Sequence, residues 1–154
     1  MMLTYRRIET EKAFIKQIWD AEQGFPQWWR DASSVWCPTY ESFELFWGEC
    51  GEIHGLFDGE RLVACVYLEK LTTGVLNVHI SVLEKTSNDD LVRFFSSLRR
   101  LKTIEGAPHT TGWVLGRNKY LLNLVKQAGY MPTGLKMSYG ASHGKALQWL
   151  EVRG

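Results

Sequence analysis

The chain has 154 residues, with 18 Lys and Arg against 17 Asp and Glu, a formal net charge of +1. At 45% hydrophobic and 23% charged residues it falls in the ordinary globular range, and its length suits a single domain, residues 1–154, around one substantial core. So small a net charge offers no general attraction to nucleic acid or to a membrane, and the longest clearly apolar run, residues 62–68, is far too short to span a bilayer.

The opening MMLTYRRIET lacks the apolar segment of a secretory leader, so a soluble, cytoplasmic protein is expected. Cys37, Cys50 and Cys65 match no zinc or redox spacing and read as reduced thiols. His54, His79, His109 and His143 are scattered singly, which suggests no metal site.

Residues 3–8 read as a first strand. Thr10 then caps a helix running to about Glu22, with Phe14, Ile18 and Trp19 along one face. Residues 24–38 read as a loop in which Trp28, Trp29 and Trp36 stand among turn residues without a clear period. Such aromatics serve as packing, or as a contact surface for a protein partner, because they supply much area for little entropy. Thr39 caps a second helix with Phe43, Phe46 and Trp47 at helical spacing and Gly48 as its stop.

Residues 53–57 and 61–70 flank Asp58-Gly59, a pair suited to the positive φ angles of a tight hairpin turn. A second turn over residues 72–74 leads to a strand over 75–83. There Leu76, Val78, Ile80 and Val82 alternate with Asn77, His79 and Ser81, predicting one core face and one polar face. Ser87 begins the next helix, with Asp89 and Asp90 in its first turn and Leu91, Phe94, Phe95, Leu98 and Leu101 on its buried stripe. Arg93, Arg99, Arg100 and Lys102 are expected on its solvated face. A loop over 106–108 follows.

Residues 110–115 predict a short strand, and 116–130 a helix marked at both ends. Asn118 starts it, Leu121, Leu124 and Val125 are its apolar positions, and Gly129 stops it ahead of Tyr130. Pro132 breaks the strand that follows, so this helix joins two strands as a crossover would. Residues 133–139 and 145–152, around a glycine-bearing turn at 140–144, predict a closing hairpin.

The Asn118 to Gly129-Tyr130 segment resembles the Asn…Gly-Phe segment of the GCN5-related N-acetyltransferases (GNAT), and the order of elements resembles that fold. The resemblance implies an α/β (α+β) domain: a mixed, mostly antiparallel central sheet flanked by about four helices. It also implies acetyl-CoA, whose pyrophosphate would sit on the loop after the fourth strand, where small residues let helix N-terminal N–H groups approach the phosphates. By that placement Ser87, Asn88 and Asn118 are the candidate cofactor-binding residues.

Two features of the family are missing. The loop reads Glu84-Lys85-Thr86-Ser87-Asn88-Asp89-Asp90, with no glycine and with acidic residues where the phosphates would come. The tyrosine that many members place seven residues after the Asn, as general acid, is replaced by Val125; Tyr120 lies nearer the helix start and reads as a packed or capping aromatic. For a base, His79 is the catalytic candidate ahead of Glu52 and Glu69, because an imidazole can accept an amine proton near neutral pH.

Two readings follow. In one, the fold persists with a degenerate coenzyme site, no cofactor is required, and the protein acts on protein partners. Ser142-His143-Gly144-Lys145-x-Leu147-x-Trp149 and the aromatic N-terminal half are similar to small acetyltransferase-like proteins of tailed bacteriophages with head or internal-virion assembly roles. That likeness implies host-cytoplasmic expression and phage structural proteins as partners, met through Trp28, Trp29 and Trp36. In the other reading the chain is an active acetyl-CoA-dependent N-acetyltransferase.

Overall fold

The computed structural model describes residues 3–26, 29–72, 75–106, 109–142 and 144–154. Trp28, His143 and parts of the expected turns at 72–74 and 106–108 lie outside them.

The described residues form seven strands and five helices: β1 (Thr4–Arg7), α1 (Lys12–Gly24), α2 (Ala32–Trp36), α3 (Tyr40–Glu49), β2 (Gly51–Asp58), β3 (Arg61–Thr72), β4 (Val75–Val82), α4 (Asn88–Ile104), β5 (His109–Leu115), α5 (Lys119–Gln127), β6 (Met131–Ser142) and β7 (Lys145–Arg153). The strands make one sheet in the order β1-β2-β3-β4-β5-β7-β6. Neighbours are antiparallel except for β4 and β5. The expected mixed, mostly antiparallel α+β architecture is therefore what the chain forms, with one more helix than expected.

Local chemistry sets these elements. The β2–β3 hairpin turns at Asp58-Gly59, and Gly59 takes φ +62, a left-handed conformation open to glycine without a Cβ penalty. The apolar run of β3 is buried on both faces, as a central strand requires. On one face Val66 and Leu68 meet α4 and α5 through Leu91, Phe95, Leu122 and Val125. On the other, Cys65 and Tyr67 meet α1 and α3 through Ile15, Ile18, Phe43 and Trp47. A third cluster sits where α2 covers β5 and β7, around Ala32, Leu115, Leu147 and Trp149.

Arg99, expected on the solvated face of α4, is half-buried and donates to Ala128 O at 3.1 Å, and β6 runs from Met131 through Pro132. Four further departures from the sequence reading bear on the site. Helix α1 starts after Glu11 rather than Thr10. The tryptophan-rich loop contains α2, capped by the Asp31 carboxylate accepting from Ser33 N–H. Asn77, His79 and Ser81 do not face solvent, being 5%, 2% and 2% exposed, because α2 and its approach close over them. Lys102 leaves the solvated face of α4 and is buried against Glu52 at 2.5 Å and Glu105 at 2.7 Å. A buried ammonium requires such partners.

Candidate functional site

β4 and β5 are the sheet's one parallel pair among the described residues, and their register runs from Val75↔His109 only to Val78↔Gly112. Past that rung the strands part. A crevice at the carboxyl ends of strands that separate is where an α/β sheet most readily takes a ligand, because backbone groups there lose their ladder partners.

In this chain the crevice is filled from the α1–α2 connection. Asp31 reaches β4, where its Oδ1 accepts from Ile80 N–H at 3.3 Å. Its Oδ2 accepts from His79 Nδ1 at 3.0 Å, from Ser33 N–H at 2.9 Å and from the Ser33 hydroxyl. Arg30 ties the connection back on itself by donating to Phe25 O at 3.1 Å and Gln23 O at 2.8 Å. Between Asp31, Ile80, Trp113, Leu121 and Trp149 a cavity of about 20 Å³ remains, room for a single water.

His79 is held from both ring nitrogens. Opposite Asp31, its Nε2 faces Glu69 Oε1 at 3.3 Å, and Glu69 Oε1 also accepts from Asn77 Nδ2 at 3.1 Å. Trp36 and Phe46 stand edge-on to the ring at 5.5 and 5.4 Å, and Tyr67 stacks on it at 5.6 Å. Burial is the largest influence on its pKa and would lower it. Asp31 and then Glu69 together outweigh burial and raise it to about 9. At neutral pH His79 is therefore an imidazolium between two carboxylates. It carries no lone pair for an amine proton until the pH approaches that value.

Behind Asp31 lies Glu22, 1% exposed. Its oxygens accept from Asp31 N–H at 3.1 and 3.3 Å. Burial, reinforced by the Asp31 charge, raises its pKa to about 8, so it is largely neutral at pH 7. Asp31 itself moves the other way: burial would raise its pKa, but His79 and Ser33 hold it below the usual carboxylate range.

The remaining sequence candidates fall into separate roles. Asn118, 2% exposed, caps α5 by accepting from Leu121 N–H at 3.0 Å. Asn88 Oδ1 accepts from the Tyr120 hydroxyl at 2.7 Å, and Tyr120 stacks on Trp29 at 5.6 Å. Trp29, Tyr120, Lys85 and Asn88 line an open groove of about 450 Å³ beside the loop after β4. Ser87 faces a neighbouring groove with Lys85 and Asp90. Glu52 is remote from His79, tied instead to Lys102, Arg7 at 3.2 Å and His54 at 3.1 Å.

Sequence reasoning missed Asp31 and Glu22. A signal existed for Glu22: it stands three and seven residues after Trp19 and Ile15, on the stripe α1 buries. Asp31 had only the Asp-Ala-Ser-Ser pattern of a helix cap.

Solved structures match over nearly the full length. The ribosomal-protein-S18-alanine N-acetyltransferase of Escherichia coli has a TM-score of 0.75 at 15% identity, covering 99% of this chain and 92% of its own. A spermidine N-acetyltransferase chimera from Vibrio cholerae gives 0.75 at 11%, covering 99% and 95%. An acetyltransferase of the GNAT family from Streptococcus pneumoniae gives 0.66 at 16%, covering 99% of each.

The fold is the GNAT fold.

At these identities the likeness carries the fold alone. No family model matches the sequence, and no curated protein does. A coenzyme thioester entering a GNAT crevice needs space between the parted strands, a free strand N–H and a loop that welcomes phosphate. Here the space between the parted strands has room for one water, Asp31 takes the Ile80 N–H, and the loop runs from Glu84 to Asp89 and Asp90 without glycine. As these side chains stand, the crevice between β4 and β5 does not fit the thioester of acetyl-CoA.

Proposed function

We propose that this chain uses the GNAT fold as a non-catalytic scaffold, with its coenzyme crevice closed by its own side chains, and acts by binding other proteins. The observation that carries this reading is Asp31, whose carboxylate occupies the N–H that the parting of β4 and β5 leaves free at Ile80. The carboxylate is in turn neutralised by a buried imidazolium, so the closure is a charged, hydrogen-bonded contact rather than a loose one.

The C-terminal pattern and aromatic N-terminal half support a partner class, the structural proteins of a tailed bacteriophage head or virion. Of the tryptophans offered as contact surface, Trp36 packs against His79 and Phe46, whereas Trp29 lines the open groove with Tyr120, itself 41% exposed. The Trp29–Tyr120 pair is therefore the part of that surface we assign to partner contact. Trp29→Ala should abolish capture of a phage partner while leaving the fold intact.

The deciding measurement is thermal unfolding with and without millimolar acetyl-CoA, backed by titration calorimetry. The expected result is no shift and no heat. Ligand at about a hundred times its dissociation constant would add roughly 2.7 kcal/mol, visible as a rise of several degrees, and such a rise would overturn the proposal. It would favour acetyl transfer to an amine, the reading that likeness to N-acetyltransferases over 99% of the chain supports. In that reading His79 is the base, Ser87, Asn88 and Asn118 meet the coenzyme, and His79→Ala lowers turnover at least about tenfold.

A further inference from the structure

Leu83 donates to Val63 O at 3.0 Å across the β3–β4 ladder, so the odd-numbered residues of β4 bond to β3. Ile80 and Val82 therefore turn their N–H and C=O groups the other way, towards β5. The β4–β5 ladder ends at Val78↔Gly112, so no strand among the described residues pairs with them there. The Asp31 carboxylate meets the Ile80 N–H, and Val82, two residues on, lines the open groove beside Trp29 and Tyr120.

The other walls of the crevice are apolar: Val78 from β4, Trp113 from β5, Leu121 and Val125 from α5, and Trp149 from β7. Arg30 and Asn118 border it too, but each is committed elsewhere, Arg30 to Phe25 O and Gln23 O and Asn118 to the Leu121 N–H. Asp31 has other support as well. Its Oδ2 holds His79 and Ser33, and the Ile80 contact, at 3.3 Å, is the longest of its hydrogen bonds. A crevice lost by filling would carry bulk on its own strands and on α5. Here the Ile80 N–H is covered by one carboxylate oxygen, brought in from the connection between α1 and α2.

We infer that Asp31 is an internal, competing ligand, an autoinhibitory contact whose Oδ1 stands where the carbonyl oxygen of an acyl ligand would accept from Ile80. The crevice behind it stays competent to bind. This rests on the reading of a closed crevice and adds that one removable side chain closes it. The ligand class is an acyl group on an extended, amide-bearing arm without phosphate: Val82 offers the next backbone donor and acceptor, while Glu84, Asp89 and Asp90 oppose a pyrophosphate. A tethered competitor acts at high effective concentration, and it weakens an external ligand by the fraction of molecules it leaves open. Removing it restores affinity without any new contact.

The test is titration calorimetry with S-acetylpantetheine, a thioester that carries no phosphate. Asp31→Ser keeps a side-chain oxygen to cap α2, but that side chain is one atom shorter and its single oxygen cannot serve Ser33 and Ile80 together. It should bind at least about tenfold more tightly than wild type, giving saturable heat where wild type gives none. Glu22→Gln alters the same buried cluster while leaving Asp31 on Ile80, and should give no heat. By NMR, exchange of the Ile80 amide should quicken at least about tenfold in Asp31→Ser and slow again when S-acetylpantetheine is added, which ties the gain to that N–H. Asp31→Ser leaves the His79 imidazolium with Glu69 alone. Should circular dichroism show it unfolded, Asp31→Ser with His79→Gln removes that charge and is titrated in its place with the same expectation. A folded variant that takes no thioester, an equal gain in Glu22→Gln, or an Ile80 amide indifferent to ligand would each overturn the inference and leave the non-catalytic reading standing. Binding by wild type as tight as by Asp31→Ser would overturn both.

Discussion

His79 gathers the consequences of burial at a single residue. Its ring is 2% exposed and lies between Asp31 and Glu69, so folding tightens its hold on a proton and raises its pKa from 6.5 to about 9. A group whose folded pKa exceeds its unfolded value contributes stability that is fully present below the unfolded pKa and lost as pH rises through the folded one. Glu22 has the same sign in a lower window, from 4.5 to about 8. These two groups should therefore cost stability as pH rises, Glu22 from about pH 4.5 to about 8 and His79 from about pH 6.5 to about 9, by a few kcal/mol in order of magnitude. In His79→Gln the loss above pH 8 should disappear while the loss below it persists. Urea midpoints measured across this range check it, and an unchanged profile in the variant would mean that the imidazolium does not hold the crevice shut.

At the scale of elements, α5 shows why some of this architecture was legible and some was not. Asn118 supplies the capping carboxamide and Gly129 the exit at φ +104, where Tyr130 N–H closes back on Val125 O at 2.9 Å. Both ends are determined by neighbours in sequence, so the chain announces them. Asn118→Ala should lower stability by about 1 to 2 kcal/mol and the melting temperature by roughly 2 to 8 °C, with Asn118→Asp close to wild type. A melting temperature unchanged in Asn118→Ala would point instead to a role in ligand binding. Helix α2 was not legible, because five residues cannot display a period and its cap is an Asp whose partners, His79 and Ile80, lie 48 and 49 residues away. The alternation along β4 had the right parity, but it could not reveal that Asp31 and α2 would bury the polar face as well. The same reasoning covers the candidate site. His79 stood out as the one titratable ring on a polar stripe, while the carboxylates that decide its protonation came from loops and strands that only tertiary folding brings near.

Across the whole molecule, apolar layers lie on both sides of the sheet, and β3 is the strand they share. Leu62, Ala64, Cys65, Val66, Tyr67 and Leu68 are each at most 2% exposed, with helices from both halves of the chain packed over them. No local opening can wet these positions without lifting a helix layer away, so their amides have no exchange route short of complete unfolding. In deuterium, the β3 amides should exchange most slowly and with one common free energy, equal to that from denaturant titration. Those of β6, exposed along the far edge, should exchange within the dead time wherever β7 does not hold them. The slowest amides would thus read out the stability of the entire chain from a single strand, and a second, lower plateau within β3 would show that the two helix layers come apart independently.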